Sequence, residues 1–202
     1  MKERIAAVEK FRLESKAKTT NGYAKVPAIF AQIAHPYSDY LIVPSVSSER
    51  RRYIPIGFMD KDTIASNAVQ IVPNATLYHF GVLTSNVHMA WMRTVAGRLK
   101  SDYRYSKELV YNTFPWPEAT EKQIAVIEEA ARGVLDERSK YPGTSLADLY
   151  DPVLMKTTGM QKAHTKLDRA VWAAYGASWK SEAECVADLM ERYQQLVNKD
   201  GK

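Results

Sequence analysis

Residues 77–117 read LYHFGVLTSNVHMAWMRTVAGRLKSDYRYSKELVYNTFPWP, and the change of texture inside this stretch decides the fold. From Leu77 to Leu99 the chain is largely apolar, lacks proline and carries one early glycine that a helix tolerates. That predicts a helix, or two helices broken near Thr84 to Asn86. The part that follows crowds Arg98, Lys100, Asp102, Arg104 and Lys107 among Tyr103, Tyr105 and Tyr111, a mixture suited to contact with a polyanion. Lys100 and Asp102 stand two apart. On an extended segment their side chains share a face, one a donor and the other an acceptor, which is what reading a base pair requires.

Upstream, residues 2 to 17 place Ile5, Val8 and Leu13 among charges in a loosely helical manner, and TTNG at 19–22 breaks the pattern. A lead-in helix is expected. From Tyr23 to Pro73 the runs VPAIFAQIA, YLIVPSVSS, RRYIPIGFM and TIASNAVQIV are β-rich and punctuated by Pro, Gly, Asp and Ser, which predicts strands of a mixed or antiparallel sheet. Downstream of FPWPE three stripes have helical spacing: Ile124, Ile127, Ala131 and Val134; Met160, Ala163, Leu167, Ala170 and Ala174; Val186, Leu189, Tyr193 and Leu196. Thr120 with Gln123 and Ser181 with Glu184 have the spacing of capping boxes. The expected fold class is therefore α+β: a sheet with packed helices over residues 1–117, then a small helical bundle over 118–202, divided where two prolines flank Trp116.

The 202 residues carry a net charge of +5, unevenly placed. Counting acids and bases gives roughly +7 up to Pro117 and roughly −2 after it, so the first part is the anion-facing one. No apolar run approaches the roughly 20 residues that span a bilayer, and the N-terminus MKERIAAVEKFR lacks the apolar segment of a secretory signal. A cytoplasmic location without membrane attachment is expected. Cys185 is the only cysteine, which excludes an internal disulfide and a multi-thiolate metal site within one chain, and it reads as a small buried residue on a helix.

The sequence lacks recognisable catalytic motifs, which points to a binding role. The four histidines do not cluster, HExxH is absent, and neighbouring carboxylates lack metal-ligand spacing. Neither GxGxxG nor GxxxxGK[ST] occurs, and Ser45, Ser47 and Ser48 lack a GxSxG elbow. NTFPWP and YDPVLM superficially match the Asn/Asp-Pro-Pro-aromatic motif of amino-methyltransferases but lack its adjacent prolines, so both read as turns. Arg50, Arg51 and Arg52 suit phosphate contact, which adds affinity and salt dependence without sequence information; the bland alternative is a solvated strand end.

SSERRRYIPIGF, DTIASNA, PNATLYHFGVLTSNVHMAWMRTVAGRL, KSDYRYSKELVYNTFPWPE and SLADLYDP together make nearly the whole chain resemble the C-terminal region of MmeI-like type IIL restriction-modification enzymes. In that family one polypeptide joins a PD-ExK endonuclease, a helical connector, an adenine-N6 methyltransferase using S-adenosylmethionine, a target recognition domain and a helical C-terminal segment. The resemblance implies that this chain is the last two parts, a non-catalytic module that reads double-stranded DNA for methyltransferase and endonuclease domains of the parent polypeptide. Cofactors are expected for those domains and not for this chain: S-adenosylmethionine and Mg2+.

The resemblance also places the base-reading positions. Lys100 and Asp102 would read the outer base pair, Ala68 with Arg104 would help read an inner one, and Asn67 is the variable neighbour of Ala68. Arg50, Arg51, Arg52, Arg98 and Lys107 are left to the DNA backbone or to support. An ammonium donates to guanine O6 and N7 and a carboxylate accepts from the cytosine N4 amine, so Lys100 with Asp102 fits one G·C pair, with guanine on the methylated-site strand at the last recognised position. A rival reading is a protein-docking or specificity subunit whose basic residues only solvate the surface; steep salt dependence of DNA binding separates the two. RNA binding through stacked tyrosines is weaker, since neither an RNP nor a GXXG pattern occurs.

Overall fold

A computed structural model describes residues 1–30 and 35–200. It divides into two compact units, residues 1–35 and 36–202. In the first, helix α1 (Lys2–Leu13) is followed by a short helix α2 (Lys18–Gly22) and a 3-10 turn, Tyr23–Lys25. TTNG, expected to break the chain, instead lies within α2, whose end is held by the Asn21 amide donating to the Leu13 carbonyl at 2.8 Å. The Arg12 guanidinium donates to the carbonyls of Tyr23, Val26 and Ile29 at 3.0, 2.9 and 2.9 Å, one side chain satisfying three carbonyls of an irregular segment. Residues 26–30 of the run VPAIFAQIA are turn and bend rather than strand, and the rest of that run lies outside the described residues.

Among the described residues of the second unit the β-rich runs condense into four short strands, and two more form downstream, the first of them at Gly97–Leu99 where the sequence predicts the end of a helix. Strands β1 (Tyr40–Pro44), β3 (Gly57–Met59) and β4 (Val69–Pro73) form one antiparallel sheet in the order β3-β1-β4. Strands β2 (Val46–Ser47), β6 (Asp102–Arg104) and β5 (Gly97–Leu99) form a second, in the order β2-β6-β5. The expected strands were drawn too long because residues 51–56 and 63–68 leave the sheet to form loops. Tyr53, Ile54 and Ile56 are buried there without belonging to a strand, so apolar content alone misleads.

Helices α3 (Leu77–Thr84) and α4 (Asn86–Val95) break at Ser85, as the sequence predicts. Both are apolar on nearly every side because both are central: Phe80 to Thr84 and Val87 to Met92 are buried without interruption. Thr76 and His79 form a capping box at the start of α3, and the Ser85 hydroxyl accepts from the His88 amide at the start of α4. Helix α5 (Glu121–Ser139) opens with the expected Thr120–Gln123 box.

Past α5 come two single turns, α6 (Leu146–Leu149) and α7 (Leu154–Thr157), then the long helices α8 (Met160–Tyr175) and α9 (Glu182–Asp200). At α9 the Ser181 hydroxyl accepts from the Glu184 amide at 3.2 Å, but the Glu184 carboxylate reaches one residue further back, to the Lys180 amide at 2.8 Å. The expected box is thus half-formed. The third apolar stripe fades along α9: Leu189 is buried, whereas Leu196 is 44% exposed.

One hydrophobic core runs from Leu41 to Leu189, so residues before and after Pro117 share it. Helices pack tightly at Gly81 of α3, where an added Cβ would lie 2.7 Å from Ile127 Cγ2 of α5 and 3.3 Å from Leu167 Cδ1 of α8. Asp168 of α8 accepts from the Asn86 amide at 2.8 Å and from the Tyr53 hydroxyl at 2.6 Å. Helix α8 therefore completes the N-terminus of α4. Burial of Asp168 holds its carboxyl above the usual range, and burial with the Asp168 charge beside it raises the Tyr53 phenol.

Candidate nucleic-acid interface

Strands β5 and β6 are joined by a two-residue turn, Lys100 and Ser101, with Leu99 opposite Asp102 and Gly97 opposite Arg104. Lys100 has φ +57°, and Ser101 does not share the positive sign. Glycine usually fills the first position of such a turn, so a lysine held there stores backbone strain at an exposed tip. This corrects one expectation: Lys100 and Asp102 do not share the face of an extended strand. Asp102 and Arg104 do, because they stand two apart on β6 with Tyr103 buried between them on the other face.

The opposite face of the hairpin is braced by Arg98. The Arg98 guanidinium lies 3.8 Å from the centre of the Tyr103 ring and donates to the Ser101 carbonyl at 2.8 Å, with Glu49 at 4.0 Å. Tyr105, just past β6, is fully packed, and its hydroxyl lies 3.0 Å from His88 Nε2. Burial pushes the Tyr105 phenol up and the His88 imidazole down to about 3, so this buried pair is neutral at physiological pH.

Ser45 ties the second set of candidate base readers to the first. It lies between β1 and β2; its amide donates to the Ala68 carbonyl at 2.9 Å and its carbonyl accepts from the Tyr105 amide at 2.9 Å. Gln70 donates to its hydroxyl at 3.1 Å. Val46, the next residue, pairs with Arg104. Ala68 and Arg104 are thus joined through one residue of backbone, and both are exposed, as is Asn67 beside Ala68. Asp102 is held too: its Oδ1 accepts from the Glu49 amide at 3.2 Å. In the sequence Ser45 stands out only as a serine without a GxSxG elbow, and Glu49 not at all, since each acts here through backbone atoms that carry no residue signature.

The basic residues fall in different surroundings. Arg50 and Arg52 are exposed and line a cavity of about 110 Å3 with Lys156. Arg51 is half-buried and turned towards α6, its guanidinium 3.4 Å from the Ala147 carbonyl. Lys107 is exposed on the π-helical turn Lys107–Tyr111, 3.8 Å from Glu108. Among the described residues there is no group of three or more His, Cys, Asp or Glu that could hold a metal ion, and no helix is long and apolar enough to cross a membrane.

Comparison with known proteins accords with this geometry. Residues 1–118 match the family described as MmeI, target recognition domain, and residues 119–199 match MmeI, C-terminal domain. A protein of Bacillus subtilis (strain 168) named DNA methyltransferase A is 42% identical over 201 residues, covering 98% of this chain and 22% of that protein. A solved structure of the type IIL restriction-modification enzyme MmeI in complex with DNA is 49% identical, with a TM-score of 0.90 over 97% of this chain and 26% of that one. The chain therefore spans about a quarter of the length of these relatives. With both matches laid end to end along it, this chain belongs to the MmeI target recognition domain family and carries that family's C-terminal domain behind it.

Proposed function

We propose that this chain reads double-stranded DNA in the major groove and so directs adenine-N6 methylation and cleavage by other domains of a longer restriction-modification polypeptide. One observation carries the reading. The exposed face of the β2-β6-β5 sheet presents Asp102 and Arg104, with Lys100 at its tip and Ala68 bound to the same frame through Ser45. Two strands and a turn make a ribbon of the width the major groove admits, and the displayed groups are a donor and an acceptor suited to a G·C pair.

In this reading Lys100 and Asp102 contact the outer pair, Ala68 and Arg104 an inner one, and Asn67 their surroundings. Arg50 and Arg52 meet phosphates, Lys107 adds charge nearby, and Arg98 braces the hairpin from behind. Recognition belongs to residues 1–117 and support to residues 118–202, as functional segments built on one core. S-adenosylmethionine and Mg2+ are assigned to the remaining domains of a cytoplasmic parent enzyme.

Selection of bound duplexes from a randomised pool, using the full-length protein, tests the proposal. A single recovered site with guanine paired to cytosine at its last position is the expected result. Recovery without sequence preference, together with salt-independent binding, would favour the docking alternative.

A further inference from the structure

We infer that the cavity between Arg50, Arg52 and Lys156 is a phosphate site for the DNA backbone, so that the C-terminal helical part contacts DNA directly. The inference rests on the reading above. Arg50 and Arg52 come from the loop after β2, whereas Lys156 comes from α7, more than a hundred residues later. Tyr53, Tyr150 and Met155 are buried and form an apolar floor. Among the described residues none of the three cations lies within 4.0 Å of a carboxylate. Three like charges gathered over a low-dielectric floor repel one another, and they focus a field that a bound anion would relieve.

The polar atoms of the floor are already committed inward. The Tyr53 hydroxyl donates to Asp168 at 2.6 Å and the Tyr150 hydroxyl lies 2.8 Å from His164 Nε2, which leaves the three cations and the Gln161 amide as the polar side chains of the lining offered to a ligand. Position supplies the identity of that ligand. Glu49, whose amide holds Asp102, immediately precedes Arg50, and consecutive Cα atoms are about 3.8 Å apart. A cationic site a few residues from a base reader falls at the rim of a groove about 12 Å wide, where the phosphodiesters run. Lys156 thereby gains a role that neither of its neighbours in sequence suggests.

The test uses the full-length protein and a duplex containing its site. Binding of wild type, Lys156→Gln and Arg52→Gln is measured against salt concentration, and each is scanned with duplexes in which single phosphates are replaced by neutral methylphosphonates. Each variant should lower the salt slope by about 1 with the selected sequence unchanged. One methylphosphonate position should weaken wild type several-fold and weaken Lys156→Gln much less, while Lys156→Arg behaves as wild type. Thermal unfolding of each variant, expected to match wild type, separates lost contact from lost fold. Parallel salt lines and equal penalties at every phosphate, alongside steep and sequence-selective wild-type binding, would overturn the phosphate site and leave the reading function standing. Absence of salt dependence in wild type would overturn both.

Discussion

The Glu49 backbone amide donates to Asp102 Oδ1 at 3.2 Å, so one oxygen of the proposed acidic base reader is held by the main chain. A carboxylate anchored in this way has lost part of its rotational freedom before any DNA arrives, which lowers the ordering cost of the contact. In the proposed contact its second oxygen would accept from the cytosine N4 amine and Lys100 would donate to the guanine of the same pair. Lys100→Glu combined with Asp102→Arg should reverse the preferred base from guanine to cytosine at the last recognised position. The expected discrimination is about 1 to 3 kcal/mol in either direction, roughly tenfold to a hundredfold. Selected-site sequencing with the double variant checks it, and an unchanged preference would remove both residues from the outer pair.

Lys100 offers a second test because its strain and its chemistry can be separated. At φ +57° a side chain is disfavoured by about 1 kcal/mol or more, and glycine is not. Lys100→Gly should therefore leave thermal stability unchanged or raise it by up to about 1 kcal/mol, offset in part by the extra freedom glycine gives the unfolded chain. Discrimination at the outer pair should fall in the same variant. A destabilised Lys100→Gly protein would mean that the lysine side chain, not the turn geometry, holds the hairpin.

Much of this architecture is legible in the sequence, and the illegible part has a consistent cause. The break at Ser85, the Thr120–Gln123 box and the apolar faces of α5 and α8 follow from local periodicity and capping chemistry, and the structure has them where the residues place them. The strands around Ile54 and Ile64 were overdrawn because buried loops and exposed loops both borrow β-branched residues: Ile54 is 1% exposed and Ile64 is 65% exposed, and neither is in a strand. The turn at Lys100 was missed for a different reason. KSDYRYS carries no glycine or asparagine to announce a positive φ, so the strain at Lys100 left no compositional mark. Ser45 meets Ala68 and Tyr105, and Lys156 meets Arg50 and Arg52, only through pairing and packing between distant segments, which periodicity does not report.

Gly81 looked like a tolerated irregularity in a helix, and its surroundings make it a requirement. A Cβ there would meet Ile127 Cγ2 at 2.7 Å, with Ala131 Cβ and Leu167 Cδ1 each at 3.3 Å. Alanine is a better helix former than glycine by about 1 kcal/mol, yet overpacking a close-packed core costs about 1 to 3 kcal/mol. Gly81→Ala should lower stability overall, by about 1 to 2 kcal/mol, through α3 moving off α5 and α8. Urea unfolding measures this directly, and a gain in stability would show that the three helices have room to separate without loss.

Two buried histidines contribute to the pH dependence of folding. His88 Nε2 lies 3.0 Å from the Tyr105 hydroxyl and His164 Nε2 lies 2.8 Å from the Tyr150 hydroxyl; burial pushes both imidazoles down to about 3. An unfolded imidazole protonates near 6.5, so between about pH 6.5 and 3 the unfolded chain binds protons that the fold excludes. Stability contributed by neutral burial is therefore complete above pH 6.5 and is lost as pH falls, by about 1.4 kcal/mol per pH unit for each histidine. Asp168 works in the opposite direction: its carboxyl is raised by burial, so its contribution is lost as pH rises through the folded value. Comparing variants removes that term. Between pH 6.5 and 5, His88→Gln, which keeps a polar partner for Tyr105, should lose about 2 kcal/mol less in urea unfolding than wild type does. If the two proteins instead lost stability in parallel, His88 would be titrating in the folded state, and the neutral pair with Tyr105 beneath the reading strand would not exist.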